Sequence, residues 1–235
     1  MKKLIGISTL LLSLNLSAQD LTNNLKSWNS VSVSYKIDSN FKAKFSQLFA
    51  FNLSPTNYSF SQTGIGLSYK IKKNIYIEGG YVRGLFNESN ALRRQNATAG
   101  WFNTLAVDRV YGNFSYKHDI VKRVSLKHEF EFQYFFPDIE KFKSRSIYSA
   151  RIAYNIRSSS VTPYLENQLF YYAGGTILSN GIKRNRIKLG LSFKPLKDVP
   201  VSTTLYYMYQ DEFKTEPLSA NDYSVVGLHL SFQIK

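Results

Sequence analysis

Apolar and polar residues alternate with a period of two along nearly the whole chain. The last stretch shows it most plainly: Val226, Leu228, Leu230, Phe232 and Ile234 fall on one side of an extended strand, and Gly227, His229, Ser231, Gln233 and Lys235 on the other. The same two-sided pattern predicts strands over Lys26–Ile37, Phe41–Phe51, Ser59–Ile71, Leu105–Lys117, Val124–Phe136 and Val161–Tyr171. Shorter runs predict four more, around Ile75–Tyr81, Arg145–Ile156, Arg186–Lys194 and Val201–Gln210. Val124–Phe136 alternates most cleanly, with Leu126, Phe130, Phe132, Tyr134 and Phe136 opposite Ser125, Lys127, Glu129, Glu131 and Gln133. No segment between them shows a helical period. The final strand ends at the C-terminus, where it is expected to pair with the first and leave no open edge.

The connections sort into two kinds. Short ones are expected near Asp38–Asn40, Lys72–Asn74, Asp119–Arg123, Arg157–Ser160 and Pro195–Pro200. Longer ones are expected at Asn52–Tyr58, Phe86–Thr104, Pro137–Lys143, Ala173–Lys183 and Glu212–Asn221. Strict alternation of the two kinds is the signature of an up-and-down sheet with short turns at one end and long loops at the other. The strands are long enough for a tilted bilayer crossing, which takes roughly 9–11 residues. Their second face is too charged for the apolar interior of a soluble barrel. The fold expected is therefore all-β, an antiparallel up-and-down transmembrane β-barrel over residues 20–235. Bacterial single-chain barrels have even strand counts, so the pattern leads to about 12 strands, with 10 possible and a further strand sought in Asp20–Ser27.

The N-terminus changes the picture by adding a compartment. Met1-Lys2-Lys3, an apolar run Leu4–Leu16 and the small residues Ser17-Ala18 make a secretory signal peptide over residues 1–19. The apolar run is shorter than the roughly 20 residues of a membrane helix. The chain has no cysteine, which excludes disulfides and thiolate metal sites. Tyr and Phe, 17 each against two Trp, suit strands and an interfacial aromatic girdle. The formal charge of +14 would fit nucleic acid, but the cations are spread over alternating strands of an exported protein. An anionic membrane surface or an anion-attracting lumen fits better.

Several short motifs carry a resemblance. They are Lys26-Ser27-Trp28 opening the first strand, Gly66-Leu67-Ser68-Tyr69, Gly79-Gly80-Tyr81, the run Asn185–Leu191, and the Tyr206-Tyr207-Met208-Tyr209 strand after it. With these the chain resembles uncharacterised outer-membrane β-barrel families of Bacteroidota, as a domain of unknown function. The resemblance implies fold and an integral cell outer membrane location, and no reaction or ligand. Gly227, Leu228, Leu230 and Phe232 also resemble the C-terminal assembly signal of such barrels, although the chain ends in Lys235 and not in an aromatic. The partners implied are outer-membrane lipid, lipopolysaccharide and the barrel-assembly machinery.

Three constellations could carry chemistry. Charged residues on the inward parity, among them Lys127, Glu129, Glu131, Arg145, Arg151, Glu166, Arg186 and Lys188, would either set an anion-favouring field in a pore or pair with one another and fill a narrow lumen. Glu129 and Glu131 are placed to pair with Arg109 and with Arg145 or Arg151. His229 and Ser231 have the spacing of a base and nucleophile on one strand face, as in some outer-membrane lipid hydrolases, but no orienting carboxylate can be named. Arg93, Arg94, Lys141, Lys143, Lys183 and Arg184 lie in or beside the long loops and could meet lipopolysaccharide phosphates. The loop Phe86–Thr104, with Trp101 and Phe102, could bind a partner. His118 is expected beside a turn in water and His128 on the outward face. Three scattered histidines make no metal pattern, and no cofactor motif is present. The function expected is structural or narrow-channel.

Overall fold

A computed structural model describes residues 24–53, 56–87, 104–136, 143–175, 180–193, 200–213 and 222–234. The signal-peptide segment, Arg93, Arg94, Trp101, Phe102 and Lys141 lie outside the described residues. Among the described residues eleven strands form one closed barrel: β1 (Leu25–Lys36), β2 (Phe41–Leu53), β3 (Thr56–Lys72), β4 (Ile75–Asn87), β5 (Thr104–Val121), β6 (Val124–Phe136), β7 (Ser144–Tyr154), β8 (Val161–Ala173), β9 (Gly181–Phe193), β10 (Val201–Glu212) and β11 (Tyr223–Ile234). Lengths run from 11 residues in β7 to 18 in β5.

Each strand pairs antiparallel with its chain neighbours, and β11 closes on β1 as expected, but in parallel register from Leu25↔Ser224 to Tyr35↔Ile234. This pairing resolves the parity problem. An odd number of alternating strands can close only if the first and last run the same way. Neither a twelfth strand nor a reduction to ten is needed. Parallel pairing is slightly weaker per residue, and side chains reinforce this seam. Both ring nitrogens of His229 on β11 are hydrogen-bonded to β1 hydroxyls, Nδ1 to Ser30 at 2.8 Å and Nε2 to Ser32 at 3.2 Å.

The connections differ from the strict short–long pattern. Strands β2 and β3 extend until only residues 54–55 separate them, so the long loop expected at Asn52–Tyr58 is mostly strand. The segments 155–160 and 194–200 are also longer than the tight turns 73–74 and 122–123. Pairing through the backbone continues where side-chain alternation weakens, so periodicity underestimates strand ends. At 122–123 the turn places Arg123 at φ 74°, a left-handed conformation.

The barrel is inverted relative to a soluble one. Apolar side chains stand exposed around its outside, including Ile65 (58% exposed), Leu67, Leu165, Leu189 (58%) and Val226. Polar and charged side chains line much of the inside, where Glu166 is 2% and Gln210 0% exposed. His118 is not a solvated turn residue. It lies within β5 and stacks between Tyr116 and His128, with ring centroids 5.1 and 5.6 Å away. His128 is on the outward face as its parity requires, bonded to Tyr148 Oη at 2.8 Å.

Candidate functional site in the barrel lumen

The inward side chains form three tiers between the end bearing the turns (38–40, 73–74, 122–123) and the opposite, loop end, where β4, β6 and β10 finish at Asn87, Phe136 and Glu212. Alternation decides which residues point inward, and the register sets their height.

The loop-end tier is a set of arginines layered among aromatic rings. Trp28 on β1 packs in a buried cluster with Ala50, Met208, Tyr223 and Val225. Phe60 meets Trp28 edge-on at 5.5 Å. Arg186 lies over Trp28 at 5.1 Å and over Phe170 at 4.6 Å. Arg145 and Arg184 also lie over Phe170, at 5.6 and 5.7 Å. Arg109 and Arg145 share Phe135, at 5.8 and 5.3 Å. Such stacking satisfies the weakly hydrated faces of guanidinium groups and leaves their edges to donate hydrogen bonds.

Those edges meet mostly neutral partners. Arg109 donates to Gln62 Oε1 at 3.0 Å, Arg145 to Gln133 Oε1 at 3.0 Å through Nε, and Arg186 to Gln210 Oε1 at 2.8 Å. Arg184 pairs with Glu212. The expected pairing of Glu131 with Arg109 or Arg145 is therefore indirect: Gln133 accepts from Arg145 and donates to Glu131. Glu129 pairs with Lys127 on its own strand at 2.8 Å. Arg184, expected beside the loops as a phosphate contact, instead points into the lumen. Lys143 is exposed at the loop end, and Lys183 sits at the register shift between β8 and β9.

The middle tier is an ion triad. Glu166 Oε2 accepts from Arg151 Nε at 2.5 Å, and its Oε1 accepts from Lys188 Nζ at 3.0 Å. Two tyrosines cross the lumen beside it, each laid over a glycine. A Cβ on Gly190 would lie 2.6 Å from Tyr164 Oη, and one on Gly227 would fall inside the ring of Tyr206. Gly227 is thus required by packing. Tyr111 occupies the equivalent space over Gly66 and Gly80, and donates to Glu78 Oε1 at 2.7 Å.

The turn-end tier is open. A cavity of about 400 Å³ is lined by hydroxyls of Ser32, Ser34, Ser46 and Ser231 with Lys44, Glu78 and His229. A second of about 190 Å³ adjoins it, sharing Lys42 and Ser68. Lys44 and Glu78 pair across this space at 3.2 Å. Ser231 lines the same cavity as His229, but the histidine's two nitrogens are taken by Ser30 and Ser32. Neither bond brings the carboxylate that would orient a catalytic imidazole. Among the described residues no group of three or more His, Asp or Glu could hold a metal.

The family model "Protein of unknown function (DUF2490)" matches residues 25–221, from the first strand to the last loop. The chain belongs to this family. No curated protein matches it in sequence. Among solved structures, the DUF2490 barrel is similar to "NanC porin structure in rhombohedral crystal form", with a TM-score of 0.52 and 11% identity over 89% of this chain and 98% of that one. That likeness is one of fold.

Pattern reading found the inward charges but missed the aromatic half of the loop-end tier. Phe135, Phe170 and Tyr172 sit on the polar parity of their strands, beside Gln133, Gln168 and Glu166. Large aromatics on an otherwise polar face were the available signal that the lumen is filled there.

Proposed function

We propose that this DUF2490 protein is an integral outer-membrane β-barrel of the structural or narrow-channel kind, with its turns in the periplasm and its loops outside. The observation that carries the reading is the inversion of polarity around a closed barrel. A surface exposing Ile65, Leu67 and Leu189 is costly in water and favourable in lipid, at roughly 25 cal/mol per Å² of apolar area. A closed barrel also leaves no backbone edge unpaired in a bilayer. The N-terminal leader pattern supports export, and the exposed Lys143 would stand at the rim where lipopolysaccharide phosphates lie.

Within that barrel the lumen is asymmetric. The turn end opens into a hydroxyl-lined vestibule, and the loop end is closed by Trp28, Phe170, Met208 and the stacked arginines. The resting form is therefore constricted, with conduction requiring the loop-end tier to part. Cell fractionation together with heat-modifiable gel mobility tests the location: recovery as a folded species in the inner membrane or soluble fraction would refute it. Planar-bilayer recordings test the constriction. Rare, small openings are expected from the native chain and larger ones from Trp28→Ala. A large, continuously open conductance in the native chain would overturn the closed-lumen reading.

A further inference from the structure

Among the described residues, the loop-end tier gathers more positive charge than its partners neutralise. The guanidinium groups of Arg145, Arg184 and Arg186 all lie within 4.6–5.7 Å of the Phe170 ring, close enough to repel one another in a desolvated lumen. Lys26 adds a fourth cation, 4.1 Å from the ring of Tyr223, and Arg109 a fifth beside Phe135. Among the described residues the carboxylates bonded into this tier are Glu212, on Arg184, and Glu131, one step further in behind Gln133. Arg109, Arg145 and Arg186 have glutamine oxygens where buried arginines ordinarily meet carboxylates.

A second observation points the same way. Buried N–H donors here lack any acceptor: Arg109 Nε, Arg184 Nε, Gln210 Nε2 and Trp28 Nε1. Gln210 is completely buried, and its Oε1 is held by Arg186, so the direction of its amide follows from that bond. A buried donor without a partner is destabilising, and four together with unneutralised cations make a consistent set. All are donors.

We propose that the loop-end tier is a binding site for a small oxyanion, a carboxylate or phosphate group held by the arginines around Phe170 with Gln210 and Trp28 as neutral donors. A planar guanidinium edge presents paired N–H groups that match the two oxygens of a carboxylate or phosphate, which a spherical halide does not. The stacked rings fix those edges in advance. The site rests on the proposed function only for how an anion would reach it, so binding can be measured on the detergent-folded barrel whatever its cellular location.

The test uses the full folded chain carrying Trp101→Phe, which leaves Trp28 as its sole tryptophan. Trp28 fluorescence and thermal midpoint are followed while sodium phosphate, sodium acetate or sodium chloride is added at matched ionic strength. A saturable change with phosphate or acetate beyond that with chloride is expected, and which of the two gives it identifies the oxyanion. Arg186→Gln should weaken it at least tenfold, whereas Lys44→Gln, in the turn-end vestibule, should leave it unchanged. Arg145→Gln stands in if Arg186→Gln does not give a heat-modifiable folded species. Phosphate and acetate responses indistinguishable from chloride would overturn the site, as would a full response in a folded arginine variant. A barrel that binds the anion but fractionates away from the outer membrane would overturn the proposed location and leave the site standing.

Discussion

Replacing Glu166 with Gln tests the middle tier most directly. The carboxylate is 2% exposed and is the shared partner of Arg151 and Lys188. Glutamine keeps its shape and one acceptor oxygen but removes the charge both cations face. Removing one partner of a buried ion pair costs roughly 3–5 kcal/mol, because the remaining charge stays desolvated. The Arg151 side chain is 35% exposed and Lys188 18%, so Arg151 recovers part of its hydration and the lower end applies. The expected loss is about 3 kcal/mol, about two orders of magnitude in the folding equilibrium. Urea titration of the vesicle-inserted barrel, read by heat-modifiable mobility and tryptophan fluorescence, measures it. Glu166→Gln combined with Lys188→Met should recover at least half of the loss, since an apolar side chain of similar length needs no counter-charge. A loss under about 1 kcal/mol in the single variant, or no recovery in the double, would refute the claim that this triad is desolvated and charge-balanced.

Three other outcomes follow from particular contacts. Gly227→Ala should destabilise the barrel by roughly 1–3 kcal/mol, because its Cβ would enter the Tyr206 ring, whereas Gly112→Ala, with nothing within 4 Å, should not; equal urea midpoints would refute the packing argument. His229→Ala should cost roughly 1–2 kcal/mol by removing two bonds across the parallel seam, and amide exchange should rise in β1 and β11 before other strands; uniform exchange would count against a seam role. Asp38 accepts backbone N–H bonds from Phe41 and Asn40 at 2.7 Å each, which hold its carboxyl below the usual range, Phe41 contributing most. Since the folded value lies below the unfolded one, the turn's stabilisation is full above the unfolded value and is lost as pH falls through the folded one. Exchange of the Phe41 amide should therefore accelerate below about pH 4 in the native chain and lose that dependence in Asp38→Asn.

The architecture was legible because strand side chains alternate strictly, so one pass along the chain assigns both faces of each strand. The inward parity of His229, Glu166 and Arg186 and the outward parity of His128 and Leu189 required no tertiary information. Closure of Tyr223–Ile234 on the first strand was legible too, because a long amphipathic strand at a chain end cannot stay unpaired. Strand ends were less legible: β2 and β3 run on through Asn52 and Asn57, where pairing persists without alternation.

Which residues meet across the lumen depends on register and on how far each side chain reaches, and neither is written in a strand's own sequence. Glu129 and Glu131 have the right parity to meet Arg109 and Arg145, yet one turns to Lys127 and the other reaches Arg145 only through Gln133. Arg184 looked like a loop cation until the barrel's height placed it inside with Glu212. His229 looked like a possible base for Ser231, but parallel closure put Ser30 and Ser32 within reach of its ring. Alternation is a local property of the backbone and so survives in one dimension. The partners of a lumenal charge are set by closing eleven strands into a ring, and only the closed ring brings residues nearly two hundred positions apart to hydrogen-bond distance.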